Sequence, residues 1–127
     1  MIFQGRSRRK PTGGFYRAHR KKRKYELGGE QVLTTIGDRK AKKERMMGGS
    51  YKLKLFADKY ANVYDPAQKK VVKVAIKSVV ENPAHVHYVR HGVITKGAII
   101  QTEIGKAKVT NRPSQEGIIN AVLIEKT

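Results

Sequence analysis

The side chains most able to do chemistry in this 127-residue sequence are its lysines and arginines, which are concentrated in the first 54 residues. That stretch holds 17 Lys and Arg against 4 Asp and Glu, a charge of +13, whereas the remaining 73 residues carry only +5. Cations at this density repel one another, so the segment needs a partner of dense negative charge. The composition therefore predicts polyanion binding, with nucleic acid as the leading candidate.

Aromatic rings interrupt these basic residues. Tyr25 follows the run Arg20-Lys21-Lys22-Arg23-Lys24, and Phe15-Tyr16 precedes Arg17. Because Lys and Arg contact phosphates while a ring stacks on an unpaired base, this interleaving favours RNA. A solvated charge run or a nuclear-targeting stretch would contain similar cations, but such runs are usually much shorter than this basic region.

Three Gly-Gly pairs lie within or beside the basic residues, at 13–14, 28–29 and 48–49. Glycine lets the backbone approach a phosphate closely, although ordinary turns explain such pairs equally well. We expect the RNA-binding residues to contact mainly phosphate. The predicted set is Arg6, Arg8, Arg9, Lys10, Gly13, Gly14, Arg17, His19, Arg20, Lys21, Lys22, Arg23, Lys24, Tyr25, Arg39, Lys40, Lys42, Lys43, Arg45, Gly48, Gly49, Lys52 and Lys54.

Histidines are the other candidates for chemistry. His85, His87 and His91 form H-x-H-x3-H near Glu81, and on a strand His85 and His87 would share a face, as two metal ligands do. No carboxylate or thiolate completes a ligand set at suitable spacing, so surface histidines are the better interpretation. A ribonuclease using His19 or His87 would need a second titrating group and a pocket. We therefore predict no metal, no cofactor, no small-molecule substrate and no catalytic residue.

The elements that position the basic residues are an arm and the start of a β domain. From Gly5 to Lys24 the sequence has neither strand nor helix periodicity, and Pro11, Gly13 and Gly14 interrupt any helix. The arm is therefore predicted to be extended, and without fixed structure when free. The next segments are a predicted strand at 30–36 and a basic loop or short helix at 39–49.

From Tyr51 onward the sequence is typical of an all-β protein, with strict alternation in YKLKLFA and β-branched residues throughout 71–80. Pro and Gly turn signals separate the apolar segments. We predict a small closed antiparallel β-barrel at residues 30–127, preceded by an extended basic arm at 1–29; closure would leave no exposed strand edge. Predicted strands cover 30–36, 51–57, 61–65, 71–80, 86–90, 98–102, 105–110 and 118–125.

Two absences narrow the class of protein. There is no cysteine, which excludes a disulfide framework and a thiolate zinc site. There is no apolar run long enough to span a bilayer, and the start lacks the apolar stretch of a signal peptide. We therefore predict an intracellular, cytoplasmic protein. We also predict no membrane partner, because surface binding to anionic lipid usually requires an amphipathic helix.

Three parts of the sequence together resemble one family. The first is RSRRKPTGG at 6–14 with KKRKYELG at 21–28; the second is TIG at 35–37 with RMMGG at 45–49 and YKLKL at 51–55; the third is GAIIQTEIGKAKVTNRP at 97–113 with GIINAVLI at 117–124. They resemble the archaeal and eukaryotic small-subunit ribosomal proteins of the S8e family. The short length resembles the archaeal form, whereas Met46-Met47 stands where relatives often have a more polar or basic pair.

The resemblance implies a β-barrel seated on the small ribosomal subunit and an arm that threads through its ribosomal RNA. Neighbouring small-subunit ribosomal proteins are the other implied partners, and the implied role is structural. A ribosome-assembly factor that leaves before the subunit matures is the main alternative, because a biogenesis family has a similar arm and barrel. An RNA-processing enzyme that uses the histidines is a second alternative.

Overall fold

The chain folds as two units, Met1–Gln31 and Val32–Thr127, in a computed structural model that describes residues 2–3 and 7–126. In the first unit, strand β1 (Ile2–Phe3) pairs antiparallel with strand β2 (Leu27–Gly28). A single 3-10 turn at Lys24–Glu26 precedes β2. The predicted RNA contact of Arg6 lies outside the described residues.

The arm contains a tight turn that its lack of periodicity did not predict. The Lys10 N–H donates to the Gly14 carbonyl at 2.8 Å, and the Gly13 N–H donates to the Lys10 carbonyl at 3.0 Å. Pro11 presets the backbone at the first corner of this turn, and Gly13 adopts a φ of +86° at its end. The local sequence KPTGG therefore forms a hairpin turn within an otherwise irregular arm.

The second unit contains most of the regular structure. In chain order its strands and helices are β3 (Thr34–Ile36), β4 (Lys40–Arg45), β5 (Tyr51–Asp58), β6 (Tyr60–Asp65), β7 (Lys70–Glu81), α1 (Val86–Arg90), β8 (Val93–Ile94), β9 (Ile99–Thr102), β10 (Gly105–Val109), α2 (Pro113–Glu116) and β11 (Asn120–Lys126), with a 3-10 turn at Met47–Gly49.

Five strands close into a barrel in the order β10-β11-β6-β7-β9, which confirms the predicted all-β class and the closed barrel. Strands β6 and β11 pair in parallel, and the other four seams are antiparallel. One parallel seam is unavoidable, because strand direction cannot alternate all the way around a closed ring with an odd number of strands.

The barrel interior holds the apolar core. In β10, Ala107 and Val109 are buried whereas Lys106 and Lys108 are exposed. A one-residue slip would exchange these two sets, so burial of the apolar set fixes the orientation of each strand. The same core contains Leu55, Ala61, Val63, Val74, Ile76, Val79, Ile94, Ile100, Ile119, Ala121 and Leu123.

A smaller sheet has the strand order β4-β5-β3-β8, with β4 at one edge. β3 is shorter than the strand predicted at 30–36, and it pairs in parallel with β5. The Thr34 hydroxyl donates to the Leu55 carbonyl at 2.8 Å. Leu55 is fully buried in the core that it shares with the barrel strands, so β5 joins the small sheet to the barrel core.

The predicted loop or short helix at 39–49 is wrong for residues 40–45, which form β4 and pair antiparallel with β5. A helix would place like charges one turn apart. Pairing with β5 instead gives Glu44 a salt bridge to Lys54 and places Lys43 over the ring of Tyr51. Cross-strand partners therefore override the helical propensity of these residues.

The strand predicted at 86–90 is also wrong, because these residues form the short helix α1. The His85 ring nitrogen Nδ1 accepts a hydrogen bond from the His87 N–H at 3.1 Å, which satisfies one donor at the start of the helix. His85 and His87 therefore do not share a strand face.

Candidate nucleic-acid interface

The turn of the arm holds two cations on aromatic rings. The guanidinium carbon of Arg9 lies 4.3 Å from the ring centroid of Phe15, and the Lys10 ammonium lies 5.6 Å from that of Tyr16. Arg9 also donates from Nη1 to the Gly13 carbonyl at 2.9 Å. The interleaving of charge and rings in the sequence thus becomes a set of cation–ring contacts, in which Phe15 remains 63% exposed.

Glu26 organises the basic run of the arm. Arg20 donates from Nη2 to Glu26 Oε1 at 2.6 Å and from Nη1 to Oε2 at 3.0 Å, while the Arg23 N–H donates to Oε2 at 3.0 Å. The hydrogen bond from Arg20 and then that from the Arg23 backbone lower the pKa of Glu26 from 4.5 to about 2. The same pairing raises the pKa of Arg20. Arg20 thus already has an anionic partner within the arm.

The other predicted residues of the arm differ in exposure. Lys22 is half-buried, whereas the rest are exposed: Arg8, Arg17, His19, Lys21, Arg23, Lys24 and Tyr25. Exposed cations spread along the arm suit the regularly spaced phosphates of a nucleic-acid backbone.

Six predicted cations of the second unit lie together on the β4–β5 ribbon, which we define as residues 40–54. They are Lys40, Lys42, Lys43, Arg45, Lys52 and Lys54, and Glu44 is the single acid of the ribbon. All of them except Lys54 are exposed. Antiparallel pairing of the two strands, from Lys40 to Arg45 in β4, therefore collects charges that are up to fourteen positions apart in the sequence.

The tip of the ribbon is formed by the pair Gly48-Gly49, whose φ angles are +84° and +81°. The Met46 N–H donates to the Ser50 carbonyl at 2.7 Å and closes the tip. Met47 is 87% exposed. Two successive residues in the left-handed region explain this Gly-Gly pair as a turn requirement.

Arg39 has a different position from the other predicted cations. Its Nη1 donates to Asp58 Oδ2 at 3.2 Å, and its Nη2 donates to the Gly117 carbonyl at 3.2 Å. Asp58 is buried, and its Oδ1 accepts from the Tyr60 N–H at 3.1 Å. Arg39 therefore balances a buried carboxylate and ties the start of β4 to the segment after α2.

The histidines at the start of α1 lie beside one another. The ring centroids of His85 and His87 are 5.2 Å apart, as are those of His85 and Tyr88. Within residues 2–3 and 7–126, no three His, Cys, Asp or Glu side chains are grouped to hold a metal ion. No helix in this described part of the chain has the length and hydrophobicity needed to cross a bilayer.

Two exposed tyrosines that were not among the predicted residues lie beside lysines. Tyr51 is 59% exposed beside Lys43, whose ammonium lies 4.1 Å from its ring centroid, and Tyr60 is 46% exposed beside Lys73 at 4.9 Å. In both pairs the ring and the cation are on neighbouring strands. Such contacts depend on the strand register and have no signal in the local sequence.

Comparison with known proteins identifies the family. The profile of the family described as Ribosomal protein S8e matches residues 3–124. Proteins named small ribosomal subunit protein eS8 are 54% identical in Sulfolobus acidocaldarius, 53% in Methanococcus aeolicus and 50% in Nanoarchaeum equitans. These matches cover 98%, 98% and 97% of this chain and the same shares of the three relatives. The resemblance to the short archaeal form is confirmed, and the chain belongs to the ribosomal protein S8e family.

Proposed function

We propose that this chain is a structural constituent of the small ribosomal subunit, held on ribosomal RNA by the basic arm at residues 1–29 and by the β4–β5 ribbon of the domain at 30–127. The gathering of six cations on one exposed ribbon carries the RNA-binding part of this proposal. The relatives named as small-subunit proteins support the choice of RNA. Its place would be on cytoplasmic ribosomes beside other small-subunit proteins, without a catalytic role.

The predicted contacts suit positioning on RNA rather than reading of sequence. Lys and Arg contacts to phosphate fix orientation and carry little base information. Ordering an arm costs roughly 1–2 kcal/mol of backbone entropy per residue. The hairpin turn and the Arg20–Glu26 pair lower that cost, since both are formed within the arm itself. The proposed function is therefore to hold the geometry of ribosomal RNA with a partly preformed arm.

Salt dependence of binding tests the RNA contacts. If about eight phosphates are neutralised, the logarithm of the affinity for deproteinised small-subunit ribosomal RNA falls against the logarithm of salt with a slope of roughly −6 to −7. Replacing Lys40, Lys42 and Lys52 of the ribbon by Gln should make the slope less negative by about 2. Replacing Arg17, Lys21 and Lys24 of the arm by Gln should have the same effect. Replacement of Lys69, Lys77 and Lys96 is the matched control, which should leave the slope unchanged. Equal slopes for all four proteins would contradict the proposal.

Gradient sedimentation tests the assignment to the mature subunit. We expect about one copy of the tagged chain per mature small subunit and per translating ribosome. Confinement to precursor particles would instead identify a ribosome-assembly factor. Absence from both kinds of particle would refute a ribosomal role.

A further inference from the structure

The two faces of the β4–β5 ribbon carry different chemistry. Directly opposed residues of an antiparallel pair lie on the same face. By the register of β4 and β5, one face carries Lys42, Glu44, Lys52 and Lys54, and the other carries Ala41, Lys43, Arg45, Tyr51 and Leu53. We call the second one the tyrosine face.

On the first face, Glu44 already neutralises part of the positive charge. Lys54 forms a salt bridge with Glu44, and this hydrogen bond lowers the pKa of Glu44. Lys52 is directly opposite Glu44 in the register. The tyrosine face carries no acidic residue of the ribbon, so its two cations, Lys43 and Arg45, have no anionic cross-strand partner there.

Tyr51 presents a largely exposed ring beside these two cations. The Lys43 ammonium lies 4.1 Å from the ring centroid, and Arg45 is directly opposite Tyr51 across the strands. The residue nevertheless remains 59% exposed. An ammonium that covers one side of a ring leaves the other side available for stacking, and phosphate binding by itself gives no reason to expose a ring there.

The tip of the ribbon is open around its two glycines. A Cβ added at Gly48 or at Gly49 would meet no described atom within 4 Å other than those of its chain neighbours. The glycines keep the end of the ribbon narrow and its backbone accessible. An RNA strand can therefore approach the tip closely.

We infer that Tyr51 is a stacking site for an unpaired RNA base, with Lys43 fixing the ring and Arg45 binding the adjoining phosphate. The inference deepens the proposed function, on which it rests, by adding recognition of single-stranded RNA to simple charge neutralisation. Aromatic stacking accepts any base, so the site selects unpaired over paired nucleotides rather than one sequence. It predicts that the ribbon contacts a loop, bulge or junction of RNA.

The test compares two probes on the full-length protein: a short oligoadenylate and a blunt RNA duplex of matched length. Tyr51→Leu should weaken oligoadenylate binding about tenfold, or about 1.4 kcal/mol, while duplex affinity and the salt slope stay unchanged. Tyr51→Phe retains the ring and should keep the affinity of the unaltered protein. Tyr60 lies on a barrel strand, and its ring is also covered by a lysine. Tyr60→Leu is therefore the matched control, for which we expect no effect.

Ultraviolet cross-linking of oligoadenylate to the unaltered protein, with the adduct mapped by mass spectrometry, provides a second measurement that needs no variant. An adduct at Tyr51 supports the site. Equal loss of duplex and oligoadenylate affinity in Tyr51→Leu, or unchanged affinity together with adducts only elsewhere, would overturn it. If the unaltered protein binds neither probe with a salt-dependent affinity, the proposed function itself fails.

Discussion

At the scale of single residues, Glu26 shows how one acid can order a strongly basic segment. It receives hydrogen bonds from the Arg20 side chain and the Arg23 backbone, so it holds two parts of the run together. Both Arg20 and Glu26 remain about one-third exposed, and solvent therefore screens their attraction. The pair is best understood as local organisation of the arm rather than as a large source of stability.

Titration of the Glu26 carboxyl group tests this local organisation. Since its pKa is lowered from 4.5 to about 2, the pair stabilises the arm fully above pH 4.5, and that contribution is lost as the pH falls towards 2. We expect its carbon-13 chemical shift to titrate with a midpoint near the lower value. Arg20→Gln should move the midpoint back towards 4.5. A midpoint near 4.5 in the unaltered protein would show that the pair does not form in solution.

At the scale of secondary structure, β5 combines two roles along its length. Its first half belongs to the exposed ribbon, whereas Leu55 and Asp58 are buried in the unit. The lysines of β4 also discourage pairing of this edge strand with other chains. Charge on the ribbon thus opposes edge-to-edge association of the free protein, and in the proposed function the same charge contacts RNA.

The difference between Leu53 and Leu55 gives a stability prediction for β5. Leu55 is fully buried, so Leu55→Ala should lower the free energy of unfolding by about 2–5 kcal/mol. Leu53 is 45% exposed, and Leu53→Ala should cost about 1 kcal/mol or less. Urea unfolding followed by circular dichroism measures both. Similar losses for the two variants would contradict the shared core, as would separate transitions of the small sheet and the barrel.

At the scale of the whole chain, the structured core lies entirely within the second unit. The core cluster extends from Leu55 to Leu123, with Ile36 and Ile104 packed against it. We therefore expect a chain of residues 30–127 to fold, with a free energy of unfolding within about 1 kcal/mol of the full-length value. Denaturant unfolding measures this difference. A truncated chain that stays unfolded would show that the arm is needed for folding.

The amino-acid sequence by itself determined the class of protein. Alternation of apolar and polar residues from Tyr51 onward was sufficient for an all-β domain, since burial of one strand face requires that pattern, but the same pattern fits a sandwich as well as a barrel. The motifs around 6–28 and 97–113 were sufficient for the family. The density of cations in the first half was sufficient to predict a polyanion partner, because charges of one sign repel one another until an external anion neutralises them.

Tertiary structure decided which neighbours each charged residue has. The segment at 40–45 became a strand because β5 offers it partners, and Arg39 turned towards the buried Asp58 instead of joining the ribbon. The pairing of Lys43 with Tyr51 depends on strand register, which links residues far apart in the sequence. Local patterns specify periodicity and charge, but they do not contain these long-range distances, and the chemistry of the ribbon depends on those distances.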